Sequence, residues 1–499
     1  MGGAEVKQVK EGNLEVRDVH MVRDVHMKML LAGDWVEGSR VIEVRDPQDG
    51  SLVSTVAAAG EAEARRAIEL GVEGARAAAQ IPVHERMGIL SRAADYVERH
   101  AERFATTIAR EGSKTIREAR LEVARCVMTL RLSAEEARRL HGETLNFDQR
   151  PGSENCLGYY FRFPVGLVLA ITPFNDPLNL VAHKVGPAIA AGNAVIVKPA
   201  TATPLSALLL AEALVEAGLP RGVLSVIPGL ASEIGDLLVT HPAVRLVSFT
   251  GGREVGEAIA RKAGLKKLQM ELGSNSPVIV LQDADLEDAV ERCVSGAFWA
   301  AGQNCLGVQR IYVQKEVYAE FRQRFVERAA RYRVGDKLDE RTDMGPLISE
   351  KEASRVGAWV SEALGQGAKL LTGGRREGAF YWPTVLEEVP PDARVACEEV
   401  FGPVVSLFGV KDLDEALRLA NGVNYGLQAG IFTRDLELAL KAVRDLEVGG
   451  VMVNDSSDYR LDAMPFGGVK GSGIGREGVR FAIEEMTETK VVCFRLRGF

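Results

Sequence analysis

The tetrapeptide Gly302-Gln303-Asn304-Cys305 puts a cysteine in a joint between two regular elements, where its sulfur is available for chemistry. Upstream, residues 286–301 carry apolar side chains at helical spacing (Leu286, Ala289, Val290, Cys293, Ala297, Ala300), and downstream 308–313 reads as a strand. The thiolate is the reactive form of cysteine, and backbone N–H groups exposed at such a joint both lower a thiol's pKa and hold an oxyanion. Taken alone, Cys305 fits a buried structural thiol equally well, because free cysteine is among the most buried residue types. Other residues of the chain decide between the two.

Composition narrows the chemistry. The 499 residues are 46% hydrophobic and 26% charged, an ordinary globular balance with room for about three domains. The net charge of −8 is spread without long single-sign runs, which argues against nucleic acid or an anionic membrane as the main partner and leaves a small molecule. Six cysteines without a C-x-x-C pair indicate neither a disulfide framework nor a zinc cluster, so a reducing compartment, the cytoplasm, is expected. No apolar run approaches the roughly 18 residues of a membrane span, and the N-terminus lacks the apolar core of a signal peptide.

Residues 16–21 (VRDVHM) are repeated at 22–27; this is too short for a folding unit, and His20 and His26 have no further ligand nearby to make a metal site. Residues 1–27 therefore read as an extension. Short alternating segments follow over 28–56, then three Ala/Arg/Glu-rich helices over 61–80, 83–110 and 115–141. The aromatic stretch 143–164 reads as a β-hairpin or arm. From 167 to 271 five strands alternate with four helices, the pattern of a doubly wound parallel sheet that binds ligands, a dinucleotide above all, at the carboxyl ends of its strands. A second α/β unit with a mostly parallel sheet starts near Pro277 and contains Cys305. A glycine-rich run at 466–478 leads to a last helix and a strand at 490–496.

Five motifs stand in order along this frame: Pro173-Phe174-Asn175-Asp176-Pro177; Lys198-Pro199-Ala200 ending a strand; Ser248-Phe249-Thr250-Gly251-Gly252-Arg253-Glu254-Val255-Gly256; Met270-Glu271-Leu272-Gly273; and Glu399-Val400-Phe401-Gly402-Pro403-Val404. With Cys305, they make residues 28–499 resemble the aldehyde dehydrogenase superfamily. The resemblance implies a Rossmann-like doubly wound cofactor domain (28–142 and 167–276), a second α/β catalytic domain (277–470) and a small β oligomerisation arm (143–166 and 480–499) that builds a homodimer or homotetramer. It implies Cys305 as nucleophile, Asn175 as oxyanion donor and Glu271 as general base, with no metal. An amide stabilises an oxyanion without losing a proton, and a carboxylate ending a buried strand has its pKa raised toward the range a base needs.

For the cofactor, NAD or NADP, the resemblance implies contacts from Thr172, Phe174, Lys198, Thr201, Gly235, Gly251, Gly252, Leu272, Glu399 and Phe401. Thr201 stands where many NAD-preferring members carry a glutamate against the 2′-hydroxyl, so NADP is expected to be accepted, and Gly252 replaces the usual serine of the phosphate loop. The run Gly473-Ile474-Gly475-Arg476-Glu477-Gly478 also satisfies G-x-G-x-x-G, yet too little chain follows it for a βαβ unit, and it is read as a structural loop near the substrate mouth.

The implied reaction is oxidation of an aldehyde to its carboxylic acid through a cysteine thiohemiacetal and thioester. The presence of Glu271 favours hydrolysis over transfer to CoA. The segment 453–468 is similar to that of members acting on lactaldehyde and on phosphonate-bearing or other short polar aldehydes, with Arg460, Asn304 and Phe466 as expected substrate contacts. Arg460 either forks onto an anionic substrate or is held by Asp458 or Asp462. A semialdehyde substrate is an alternative, and so is a non-catalytic descendant, which would have lost Cys305, Glu271 and Asn175.

Overall fold

The computed structural model describes residues 26–497. His20 and most of the expected extension lie outside them. His26–Met27, read from sequence as part of that extension, instead forms a parallel pair with Thr55 and Val56, and the His26 ring lies within hydrogen-bonding distance of Thr55 and Glu37.

One sheet runs Gly473–Ile474, Lys267–Glu271, Val244–Thr250, Leu167–Ile171, Ala194–Lys198, Leu224–Val226, Met29–Leu31, Asp34–Val36. Its five middle strands are parallel, Leu169 lying opposite both Ile196 and Val247. They are apolar on both faces because helices cover both sides. Strand Leu167–Ile171 sits between strands that follow it in sequence, so the chain order reverses beside it, where such sheets bind ligands. The edges are antiparallel: the hairpin of Met29–Leu31 and Asp34–Val36 closes one side, and Gly473–Ile474, from the glycine-rich run, closes the other against Met270 and Glu271.

The second sheet runs Lys369–Thr372, Thr384–Glu387, Val404–Val410, Val308–Gln314, Ser276–Val280, Gln428–Phe432, Gly450–Val453, parallel except at Lys369–Thr372. A third sheet pairs the hairpin strands Glu143–Asn146 and Cys156–Pro164 with the tail strand Thr487–Arg495.

Two helical expectations are corrected. The helix expected over 83–110 breaks at His100, whose ψ of 23° leaves the helical region, into Val83–Arg99 and Ala101–Glu111. The helix expected over 115–141 is Ile116–Ala137; it starts in a capping box, where Thr115 Oγ1 accepts from Glu118 N and the Glu118 carboxylate accepts from Thr115 N. Strand Thr384–Glu387, which directly follows Pro383, was not expected from the sequence.

Helix Glu61–Gln80 lies against the turn before strand Leu224–Val226 so closely that a Cβ on Gly74 would sit 1.9 Å from Gly222 O. In an isolated helix Gly→Ala gains up to ~1 kcal/mol, but overpacking against backbone costs about 1–3 kcal/mol. Gly74→Ala is therefore expected to lower the thermal midpoint; an unchanged or raised midpoint would show that the helix backs away freely.

Candidate active site

Helix Leu286–Phe298, capped by Asp285, ends against a turn in which three successive residues are left-handed: Ala300 (φ 49°), Ala301 (φ 56°) and Gly302 (φ 69°). Alanine there is strained, so the surroundings must hold the turn. Ala300 N donates to the buried Glu118 carboxylate at 2.8 Å, and the Gln303 side chain clamps the turn by donating to Ala300 O (3.0 Å) and accepting from Ile348 N (2.8 Å). Cys305 follows, half-buried. Asn304 Oδ1 accepts from Leu306 N at 3.1 Å, which makes this side chain a former of the cysteine's own turn as well as a wall of the cavity.

That cavity, about 290 Å³, brings together Cys305, Asn175, Asn304, Lys114, Arg125 and Arg460. Asn175 reaches it from the turn between strand Leu167–Ile171 and helix Asn179–Ala191. Burial pushes the Cys305 thiol up to about 12, with Arg460 the strongest opposing influence.

Glu271 ends strand Lys267–Glu271 and is 3% exposed, with neither carboxylate oxygen hydrogen-bonded among the described residues. Burial, then the charge of Glu477, holds its pKa well above the ordinary range. Glu477 is the opposite case. Burial resists its ionisation, but Lys184 Nζ at 2.8 Å and Arg460 at 3.1 Å outweigh that and hold it down to about 2. Arg460 is thus paired with Glu477, not with Asp458 or Asp462, and its guanidinium lies 3.7 Å from the centre of the Phe466 ring. Phe466, itself buried, exchanges both backbone hydrogen bonds with Glu477. Asp462 belongs to Arg125 (2.8 Å) and His183 (2.9 Å), and Asp458 to Ser456.

Most of the groups expected to meet a dinucleotide end or follow the parallel strands of the first sheet. Lys198 ends its strand buried, with its ammonium on Pro199 O at 3.0 Å and burial drawing its pKa down to about 8. Thr172 Oγ1 is buried without a partner among the described residues, and Thr201 Oγ1 donates to Gly229 O at 3.4 Å. Gly252 is the N-cap of helix Arg253–Ala263 and has open space at its Cβ position; Gly251 packs against the Phe249 ring, and a Cβ on Gly256 would strike Leu272. Gly235 lies on the neighbouring helix Ala231–Thr240. Glu399 accepts from Ser274 N at 2.8 Å and is pushed by burial up to about 7; Phe401, left-handed at φ 47°, meets the Phe174 ring edge-on at 5.7 Å. An unpartnered hydroxyl, a cation with one neutral partner and an uncapped helix start suit ribose and pyrophosphate oxygens.

Four residues of this site went unread in the sequence. Glu477 lies inside the run set aside as a false fingerprint. Lys184 is the one cation in the otherwise apolar stretch 184–191, a signal available in hindsight. Lys114 lies just before helix Ile116–Ala137 and Arg125 lies on it, places where a charge reads as solvated.

The family model for the aldehyde dehydrogenase family matches residues 35–492, and the chain belongs to this family of NAD(P)-dependent oxidoreductases. It is 54% identical over 457 residues to aspartate-semialdehyde dehydrogenase 1 of Pseudomonas canavaninivorans, covering 92% of this chain and 97% of that one. It is 46% identical over 464 residues to 3-sulfolactaldehyde dehydrogenase of Priestia aryabhattai, covering 93% and 97%. Its fold matches the crystal structure of aldehyde dehydrogenase 21 from Physcomitrella patens in complex with the reaction product succinate, with TM-score 0.93, 40% identity, and coverage of 96% of this chain and 100% of that chain.

The raised pKa of Glu271 means that the folded protein binds its proton more tightly than the unfolded chain does. The resulting stability is full below the ordinary carboxylate value of 4.5 and is lost as pH rises through the folded value. Glu271→Gln removes that loss, so the variant's advantage in melting temperature over the wild type should grow from pH 5 to pH 8; a difference independent of pH would mean that Glu271 ionises freely.

Proposed function

We propose that this aldehyde dehydrogenase oxidises short aldehydes bearing a carboxylate, sulfonate or similar anionic group to the corresponding acids, with hydroxylated aldehydes such as lactaldehyde as secondary substrates. The observation that carries the reading is the cavity at Cys305: small, and lined by the two guanidinium groups of Arg125 and Arg460 together with Lys114, whose pKa burial draws down, against the two carboxyls of Asp176 and Asp458, of which burial pushes Asp458 toward its neutral form. Its volume is at the low end for ligand sites and suits a short substrate. The names of the relatives, an aspartate semialdehyde and a sulfolactaldehyde dehydrogenase, and the succinate in the structural neighbour, point the same way.

In this reading the Cys305 thiol gives its proton to solvent water, Arg460 favouring the thiolate, and the sulfur bonds to the aldehyde carbon. The carbonyl oxygen becomes an oxyanion to which the Asn175 amide donates. Lys198 would meet the adenosine ribose, Gly251 and Gly252 the pyrophosphate, and Glu399 with Phe401 the nicotinamide ribose and ring; when bound, the nicotinamide accepts hydride from the substrate carbon. Glu271, uncommitted to any hydrogen bond, takes a proton from water, whose oxygen attacks the resulting thioester; the C–S bond breaks, and Cys305 leaves as thiolate. Thr201 sets no carboxylate against a 2′-phosphate, so both NAD and NADP serve. The sheets support a cofactor domain (28–142, 167–276), a catalytic domain (277–470) and an arm (143–166, 480–499), and the sparse cysteines support a reducing, cytoplasmic setting.

The test is nicotinamide reduction against a panel of succinic semialdehyde, sulfolactaldehyde, lactaldehyde, propionaldehyde and benzaldehyde, with NAD and NADP in parallel. Cys305→Ala should abolish turnover, while Glu271→Gln should give a burst of about one reduced cofactor per site and then stall. Activity surviving in Cys305→Ala, or a panel led by benzaldehyde, would defeat the reading.

Specificity has its own variants. Because Arg460 holds the buried Glu477, truncating it would harm every substrate, so Arg460→Lys and Arg125→Lys are the informative changes. Each keeps the charge and loses the fork, and should lower kcat/KM for anionic aldehydes by about tenfold while changing propionaldehyde by less than about threefold. Equal losses would assign both arginines a structural role alone.

We also propose a homodimer or homotetramer built through the third sheet, on which Leu157, Tyr159 and Phe494 form an apolar face 60%, 40% and 47% exposed. Light scattering should give twice or four times the chain mass, and Leu157→Asp with Phe494→Asp should reduce it; a wild-type monomer would refute the assembly.

A further inference from the structure

Helix Ile116–Ala137 carries four polar side chains, Glu118, Glu122, Arg125 and Thr129, spaced along one face, and between them they reach the turn before Cys305, the segment 176–179 after Asn175, and Asp462. Glu118 Oε1 accepts from Ala300 N at 2.8 Å, in the left-handed turn before Cys305. Four residues on, Glu122 Oε1 accepts from Leu178 N at 2.8 Å and Asn179 N at 3.0 Å, directly after the Asn175 turn, while its other oxygen pairs with Lys114 at 2.8 Å. Arg125 bridges Asp176 (3.3 Å) and Asp462 (2.8 Å), beside Asn175 and Arg460 respectively. Thr129 Oγ1 donates to Asn179 Oδ1 at 2.9 Å. Glu118 and Glu122 are 5% and 1% exposed, so these bonds are made in a low dielectric where loss of an acceptor leaves a buried N–H unpaired.

We propose that Glu118, Glu122 and Arg125 are positioning residues: one rigid helix face sets the nucleophile turn, the oxyanion turn and the substrate loop at fixed distances from one another. The case is clearest for Glu118. Two consecutive left-handed alanines do not hold themselves, and the Glu118 carboxylate is anchored at its far oxygen by Thr115 N (2.8 Å) and Thr115 Oγ1 (3.0 Å), so its near oxygen is a fixed point to which Ala300 is tied. The proposal rests on the reading of Cys305 and Asn175 as the reacting groups, since it says what places them.

Glu111 supplies a matched control. It is a buried carboxylate on the preceding helix that accepts from Leu205 N (2.7 Å), Ser206 N (2.8 Å) and Ser206 Oγ, and among the described residues it makes no hydrogen bond to the turn before Cys305. Glu118→Ala, Glu118→Gln and Glu111→Gln would be compared by kcat and KM, by the rate of Cys305 alkylation by iodoacetamide mapped by mass, and by amide hydrogen exchange. Glu118→Ala is expected to lower kcat by about tenfold or more with cofactor KM within about twofold, to change Cys305 alkylation by at least about threefold, and to raise exchange across residues 299–306. Glu118→Gln keeps an acceptor for Ala300 but turns an N–H₂ toward Thr115 N, so it should fall between the wild type and Glu118→Ala. Glu111→Gln should raise exchange across 205–216 and leave 299–306 and the alkylation rate unchanged. Wild-type exchange over 299–306 in Glu118→Gln, which carries the decision if Glu118→Ala is insoluble, would overturn the proposal, as would Glu111→Gln perturbing that segment equally. Should Cys305→Ala retain turnover, it is the catalytic reading that fails, and the exchange data still decide whether Glu118 holds the turn.

Discussion

Lys184 and Glu477, both removed from water, form an ion pair that every other ionisable group in the site must accommodate. Desolvating two charges is expensive, and the pair persists because each member has a second partner: Lys184 donates a hydrogen bond to Ser248 Oγ at 3.0 Å, and Arg460 donates to Glu477. With one carboxylate already ionised nearby, a second in the same low-dielectric region resists giving up its proton, which is the condition of Glu271. Arg460 is drawn in two directions, toward Glu477 and toward the cavity of Cys305, and its stacking on Phe466 fixes the orientation from which it serves both. One carboxylate is thereby committed to structure and its neighbour kept in reserve.

The geometry follows from where sheets end. Glu271 and Lys198 lie at the carboxyl ends of parallel strands, so their backbone positions are set by ladder hydrogen bonds, whereas Asn175 lies four residues past strand Leu167–Ile171, in a turn that Glu122 and Arg125 hold. Cys305 has no such support; it follows a strained turn after a helix and depends on side chains from elsewhere. The difference separates groups that the fold places unaided from those that need a dedicated brace.

That difference also governs what could be read in advance. The strand–helix alternation of 167–271 was legible because a parallel sheet covered on both faces demands continuous apolar strands at regular intervals, and Cys305, Asn175, Glu271, Lys198 and Glu399 were legible because each sits in a short run of unusual residues. Glu477, Lys184, Lys114 and Glu118 were not, since each acquires meaning from a partner that is remote in sequence: Glu118 and Ala300 are 182 positions apart, Lys184 and Glu477 are 293 apart. A glutamate in a glycine-rich run and a lysine on an apolar helix look local until the chain has folded. The same reason turned Arg460 toward Glu477 when nearer aspartates were the natural guess.

The edge strand Gly473–Ile474 gives this dependence a temporal side. It completes a sheet whose other members were synthesised far earlier, and the residues directly after it deliver Glu477 to Lys184. Until that segment leaves the ribosome, Lys184 has no buried counter-charge and the last parallel strand has a bare edge. A chain that stops before residue 473 therefore leaves Lys184 buried without its carboxylate and strand Lys267–Glu271 without its antiparallel neighbour.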